Sequence, residues 1–345
     1  MNDTVKMDKL NKNVKMVLIT FPLLSSHALY HHDIKMKIII QLKRLVSVSI
    51  DLEMEEISRF CLEKKVLKIK SGIVKQSPDG NAFNGGGLME LIKWKDSGEV
   101  FEVVLNRPEA YNSLNENMLK ELKETLILAE ESTSRIMLIK GSGKGFSAGG
   151  DIKMMLSSAD ENLAEEVIDT ISDIVMMLYS MPKITVAAVH GAAAGLGMSL
   201  PLGCDHVLAE KEAKLAMNFI GIGLIPDGGG HFFLERRVGE TAAKELIWSG
   251  KKLTADEAQK LRLVDAVFGG DLDRHAGAHL EKLLESPLSA MIETKKIYQT
   301  LNAGRLEQTL ALEKKAQLRM RRTKDHQEGI RAFLEKRKPH FNHHA

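Results

Sequence analysis

Cysteine is nearly absent from this sequence. Two residues in 345, Cys61 and Cys204, cannot build a disulfide framework, and a reducing compartment is the simpler setting. Cys204, two residues after Leu202, reads as a packed thiol rather than a nucleophile. No run approaches the roughly 18 consecutive apolar residues of a membrane span, so none is expected. Strong net charge is missing too: the balance is +2. Residues 1–88 hold 14 Lys+Arg against 9 Asp+Glu, leaving 34 against 37 in residues 89–345. That slightly acidic body offers nucleic acid no broad basic footprint. No His/Cys/Asp cluster has metal-ligand spacing, and no Gly-Lys-Ser/Thr phosphate loop occurs. What remains, 44% hydrophobic and 27% charged, is the composition of a soluble globular protein with a large core.

The chain changes character near Met89. Residues 1–88 scatter Lys, Ile, Met and Asn with little amphipathic period. Lys6 to Lys15 followed by the apolar run from Met16 to Leu24 mimics a secretory signal, but Asp3 and Asp8 interrupt its basic stretch. Asn84 to Met89 back-translates to contain GGAGGTG shortly before an ATG, the look of a bacterial ribosome-binding site. The leader 1–88 is therefore expected to be disordered or a non-native, in-frame upstream extension, with Met89 as the natural start of 257 residues.

From Met89 onward the pattern is regular. Leu91–Trp94 and Val100–Leu105 read as a hairpin around Asp96-Ser97-Gly98. Asn115 caps a helix whose Met118, Leu119, Leu122, Leu126 and Ala129 share one face. Strands are expected at 135–140 and 184–189, with a helix around 161–179 between them. Met176, Met177 and Met181 read as core. A helix running through Cys204 and short strands at 206–209 and 214–217 follow. Beyond Ser286-Pro287 everything is helical, and the cluster from Arg319 to Lys324 reads as a solvated helix face.

Two small-residue turns organise this pattern. Lys144-Gly145-Phe146-Ser147-Ala148-Gly149-Gly150-Asp151 follows the strand at 135–140. His190-Gly191-Ala192-Ala193-Ala194-Gly195-Leu196-Gly197 follows the strand at 184–189. Small residues at strand ends let a ligand approach backbone N–H groups closely, and two such turns together can form an oxyanion hole. Phe146 to Lys153 resembles a signature of the crotonase superfamily, the enoyl-CoA hydratases and isomerases. So do Lys183 to Gly191, Cys204-Asp205, Gly223 to Gly230, and Glu328 to Arg337, in family order from about Met89 to Phe341.

The resemblance implies an α/β spiral of ββα repeats over 89–285 and a C-terminal helical trimerisation module over 286–345. It implies an acyl-CoA substrate, a homotrimer or dimer of trimers, a cytoplasmic setting, and no cofactor beyond the coenzyme A of the substrate. Matching the motifs puts the oxyanion donors at the backbone of Ala148 and Leu196; Leu196 in place of the usual Gly narrows the pocket. Ser147, Gly149, Gly150, Asp151, Ile152, Gly195, Gly197, Ser199, Phe219 and Lys336 fall at substrate- or CoA-binding positions. Hydratases of this family carry two catalytic Glu residues where this chain has Ser199 and Phe219, and neither can activate water and protonate carbon as a pair.

One acid remains. Asp227 matches the Asp of the dienoyl-CoA and phenylacetate-pathway isomerases, and a single carboxylate suffices for a 1,3 proton shift. An apolar wall of Phe219, Ile222 and Leu224 is expected to raise its pKa. The other reading of Asp227 is a helix cap within a Pro-Asp-Gly turn. Asp205 reads as structural, His231 as a satisfied structural histidine, and Glu235 as a surface partner of Arg236 or Arg237. Enoyl-CoA double-bond isomerisation is the favoured reading. Enoyl-CoA hydration and a catalytically reduced CoA-binding or RNA-binding homologue remain as alternatives.

Overall fold

The computed structural model describes residues 90–152 and 161–342. The leader 1–88, the proposed start at Met89, and Lys153 lie outside the described residues. The described residues belong to one compact unit. Its frame is a six-stranded sheet in the order β1-β2-β3-β4-β6-β9. β1 (Ile92–Asp96) and β2 (Val100–Leu105) form the expected antiparallel hairpin. β3 (Ile136–Gly141), β4 (Ile184–Val189), β6 (His206–Glu210) and β9 (Ala266–Phe268) continue it in parallel.

A parallel sheet needs cover on both faces, and β4, Ile-Thr-Val-Ala-Ala-Val, is buried at all six positions. Alternate residues divide between two cores. Met137, Ile139, Ala187 and Val189 join Met118, Leu122 and Leu126 of α1 (Glu116–Glu131). Ile136, Leu138, Ile184 and Val186 face Leu272, Ala276, Leu280 and Leu283 of α7 (Leu272–Leu284). The Asn115 side chain accepts from Met118 N and caps α1 as expected. α2 (Glu161–Ser180) crosses between β3 and β4.

A second sheet of β5 (Ala192–Ala194), β7 (Lys214–Ala216) and β8 (Leu253–Thr254) stands beside the first. Between its strands lie α3 (Leu196–Leu202), α4 (Gly230–Val238) and α5 (Glu240–Ser249), with α6 (Ala255–Lys260) following β8. α3 stops at Leu202, so Cys204 follows the helix rather than lying within it; the thiol is buried, and burial pushes its pKa up to about 12. That state favours a packed thiol over a nucleophile.

The C-terminal stretch is α8 (Leu288–Arg321), 34 residues long, and α9 (Lys324–Leu334). α8 packs on α2 and α4 of the same chain. Leu306 and Leu310 are consequently buried within the chain, and Ile330 of α9, which packs on the turn Asn218–Ile222, is buried too, whereas Phe333 and Leu334 are exposed.

Asp205 is structural, as its position before β6 suggested. One carboxylate oxygen accepts from Thr185 N at 2.8 Å, Thr185 Oγ1 at 2.9 Å and Lys295 Nζ at 2.7 Å, tying β4 and β6 to α8. The Lys295 side chain is only 9% exposed. Asp205→Ala leaves the Lys295 ammonium without a counter-charge, held chiefly by Lys183 O at 2.8 Å, and strips the Thr185 amide of its acceptor, so a loss of about 2 kcal/mol or more is expected. Urea denaturation of the variant checks it; a change within about 0.5 kcal/mol would show that α8 is not held there.

Candidate active site

The two small-residue turns are pressed against each other. Ser147 forms a parallel bridge with Ala193: its N–H donates to Ala192 O at 3.0 Å, and Ala194 N–H donates to Ser147 O at 3.0 Å. Gly149 has φ +91°, and a Cβ there would lie 2.5 Å from Ala194 O. A Cβ on Gly197 would lie 2.4 Å from Ser147 O. Only glycine permits this approach. Ser147 and Asp151 turn out to hold the turn together rather than face a ligand. Ser147 Oγ donates to Asn112 O at 2.8 Å and accepts from Gly149 N at 3.2 Å. Asp151 accepts from Arg107 Nη1 at 2.5 Å.

One expected donor is engaged within the chain. Ala148 N–H donates to Tyr111 O at 2.9 Å and is not available for a ligand. The N–H of Gly150, two residues on, has no acceptor among the described residues. Nor has that of Leu196, the first residue of α3, where helix geometry leaves the N–H unpaired. Gly150 and Leu196 line one small cavity together with Asp227. Gly150 and Leu196 thus bring two unengaged N–H groups to the lining of this cavity.

The remaining expected residues divide. Phe219 lines the cavity. Gly195 sits behind it, its N–H donating to Ala216 O at 2.9 Å. Ile152 is half-buried and does not line it, and Lys336 is exposed just past the end of α9. Ser199 is fully buried, and its Oγ donates to the main-chain oxygen of Asp227 at 2.9 Å. Ser199 thus steadies the Asp227 turn.

Asp227 is 9% exposed. Its Oδ1 is buried with no hydrogen-bond partner, while Oδ2 stands 3.4 Å from Gln317 Nε2. Burial first, and then the negative charge of Glu313, push its pKa up to about 8, against the pull of Arg321. The helix-cap reading of Asp227 fails, because that duty belongs to Glu313. The Glu313 carboxylate accepts from Gly229 N at 2.8 Å, just before α4, and from His231 N at 3.1 Å, in its first turn. It also lies 2.8 Å from His231 Nδ1, so His231 is a satisfied structural residue. Glu235 pairs with Arg305, at 2.6 and 2.7 Å, rather than with its neighbours Arg236 and Arg237.

Three residues of this site escaped the sequence reading: Glu313, Gln317 and Arg321. Each stands on α8, and Gln317 and Arg321 line the cavity. Arg321 was expected on a solvated face and instead turns inward. A signal existed. The buried stripe of Leu306 and Leu310 continues through Glu313, Gln317 and Arg321 at helical spacing, so polar side chains occupy a core-facing row.

The raised pKa has a thermodynamic signature. An acid shifted from 3.8 to about 8 contributes stability that is complete below the unfolded value and is lost as pH rises through the folded one. Asp227→Asn removes the penalty. Its melting temperature should match the wild type near pH 4 and exceed it increasingly toward pH 8.5, by about 1–3 kcal/mol in stability. A difference independent of pH would show an ordinary carboxyl.

Among the described residues no group of three His, Cys, Asp or Glu could hold a metal ion, and no helix is long and apolar enough to cross a membrane. A family model described as enoyl-CoA hydratase/isomerase matches residues 95–344. YhaR of Bacillus subtilis, which carries the same family description, is 58% identical over 253 residues, 73% of this chain and 99% of its own. Two Escherichia coli proteins cover 74% of this chain and 99% of their own lengths. They are 2,3-dehydroadipyl-CoA hydratase, 35% identical, and 1,2-epoxyphenylacetyl-CoA isomerase, 34% identical. The crystal structure of an enoyl-CoA hydratase from Mycobacterium avium subsp. paratuberculosis superposes with a TM-score of 0.67 at 30% identity, over 73% of this chain and 99% of that one. Two strand-end turns with paired N–H groups, set in this spiral and matched over most of the chain, lead to one assignment: the chain belongs to the enoyl-CoA hydratase/isomerase family of the crotonase superfamily.

Proposed function

We propose that this family member shifts the double bond of an enoyl-CoA thioester, with Asp227 as the single acid/base. The observation that carries the reading is the cavity itself: Gly150, Leu196 and Asp227 line it together, and Asp227 is the one carboxylate among its described lining residues. On a trans-3-enoyl-CoA the thioester oxygen accepts from Gly150 and Leu196 N–H. Ionised Asp227 takes a proton from carbon 2, and the negative charge spreads onto that oxygen as a dienolate. Two such donors contribute several kcal/mol in a site closed to water, on the order of 3 each. The same carboxyl then returns the proton to carbon 4, leaving the double bond between carbons 2 and 3.

Hydration asks for more. One group must activate water while another protonates carbon 2. The two positions where related hydratases carry Glu hold Phe219, an apolar wall, and Ser199, whose hydroxyl is engaged with Asp227 O. The reading further includes assembly. Ile297, Tyr298 and Leu301 on α8, with Phe333 and Leu334 on α9, leave large apolar side chains exposed, and a trimer or pair of trimers would cover them. A stable monomer in sedimentation at micromolar concentration would remove that part.

Conversion of trans-3-enoyl-CoA to trans-2-enoyl-CoA is the assay. Asp227→Asn should lower kcat/KM by about 1,000-fold or more. In the wild type kcat/KM should rise with pH along a single limb with its midpoint near 8, because the base must be ionised. Crotonyl-CoA hydration should be feeble. Strong hydration that survives Asp227→Asn would overturn the assignment, and no turnover of either kind would leave a CoA-binding scaffold.

A further inference from the structure

Arg321 is the residue for which the isomerase reading has no use. It stands in the last turn of α8, half-buried, and lines the same cavity as Asp227, Phe219, Leu224 and Gln317. Burial disfavours its charge, and Asp227 favours it. Among the described residues no carboxylate pairs with it and no oxygen accepts from it. A desolvated guanidinium with five donors and no acceptor is costly unless something supplies one. Apart from Asp227 and Gln317, the rest of the described lining is apolar or glycine, so a plain hydrocarbon chain would leave those donors unsatisfied.

We infer that Arg321 is a specificity-determining residue that donates to an oxygen on the acyl group beyond the reacting carbons, so that the preferred substrates are acyl-CoA thioesters with a neutral oxygen acceptor in the acyl chain. The inference rests on the acyl-CoA reading of the cavity but not on isomerisation. Charge selects a neutral oxygen over a carboxylate. Asp227 already ionises against burial and against Glu313, and Arg321 is the cation that helps it. A carboxylate tail on Arg321 would neutralise that help and add a second negative charge beside the base. A ketone, ether or hydroxyl oxygen takes donor hydrogens and leaves the positive charge in place. Arg321 then does two things at once: its charge faces Asp227, and its remaining N–H groups face the substrate. The fixed fork of guanidinium donors suits this double duty better than a single ammonium would.

The test is equilibrium binding with saturated acyl-CoA thioesters that do not react, so turnover plays no part. Calorimetry of the full-length protein compares hexanoyl-CoA, 5-oxohexanoyl-CoA, 6-oxoheptanoyl-CoA and adipyl-CoA. One of the two ketones should bind at least about 10-fold tighter than hexanoyl-CoA. In Arg321→Met, which keeps the length and loses the donors, that ratio should fall to about 1. Arg321→Lys should recover part of it, which also guards against a folding defect in the Met variant. A mere electrostatic aid to Asp227 would change kcat with the pH profile and leave the ratio untouched; that result would overturn the inference. So would hexanoyl-CoA binding as tightly as both ketones in the wild type. Adipyl-CoA binding tightest, with the advantage lost in Arg321→Met, would replace the neutral oxygen with an acid tail. Failure of every thioester to bind would overturn the acyl-CoA reading itself, and this inference with it. Tight ketone binding without double-bond migration would sink only isomerisation.

Discussion

Everything in this molecule that bears on chemistry depends on how closely two backbone turns can approach. Ser147 and Ala193 exchange strand-like hydrogen bonds, and Gly149 and Gly197 keep the facing carbonyls free of side chains. Any Cβ at either glycine would force the turns apart, since contacts near 2.5 Å do not occur between such atoms. The parallel sheet serves this contact. β3 and β4 are adjacent, their carboxyl ends point the same way, and each delivers one turn to one place. Binding at the carboxyl ends of neighbouring parallel strands is general in α/β folds. On the proposed reading the ligand-facing atoms are main-chain N–H groups, so geometry matters more than side-chain identity.

The second dependency runs through α8. A 34-residue helix is long enough to touch the amino ends of β4 and β6 at Lys295 and the cavity at Arg321. Glu313 caps α4 from this helix, and Gln317 donates to Ile225 O at 2.5 Å. The turn that carries Asp227 is thereby clamped from two sides: Ser199 of α3 beneath, and α8 above. A carboxylate held this way stays at the cavity wall with a buried Oδ1 that no described donor reaches, even though ionising it there is unfavourable. Structure and electrostatics thus oppose each other at Asp227, a common condition of catalytic groups.

Much of this was legible from residue order. The hairpin, the Asn115 cap, the face of α1 and the two parallel strands follow from period and capping chemistry. The small-residue turns do meet, and each supplies a residue to the cavity that Asp227 lines. What was illegible has physical causes. Ala148 and Gly150 differ only in which N–H a distant carbonyl captures, and nothing local reveals that Tyr111 O claims the first. The Arg319 to Lys324 cluster reads as solvated because charge usually is; its inward member shows only against the buried Leu306 and Leu310 stripe. Phe333 and Leu334 are exposed, while Leu306, Leu310 and Ile330 are covered within the chain. Helix length alone does not decide which of these a neighbouring helix reaches.

The burial of Asp227 bears on the bookkeeping of hydrogen isotopes. A carboxyl that is 9% exposed, with Oδ1 out of reach of any described donor, exchanges its hydrogen with bulk water only when the cavity opens. A hydrogen lifted from carbon 2 therefore sits on Asp227 in isolation until carbon 4 receives it. On the proposed reaction, deuterium placed at carbon 2 of the substrate should reappear at carbon 4 of the product. Turnover in heavy water should leave most product molecules unlabelled there. The same wall that makes the carboxyl a reluctant anion makes it a faithful carrier, and the fraction of label retained measures how long the cavity stays shut relative to one proton transfer.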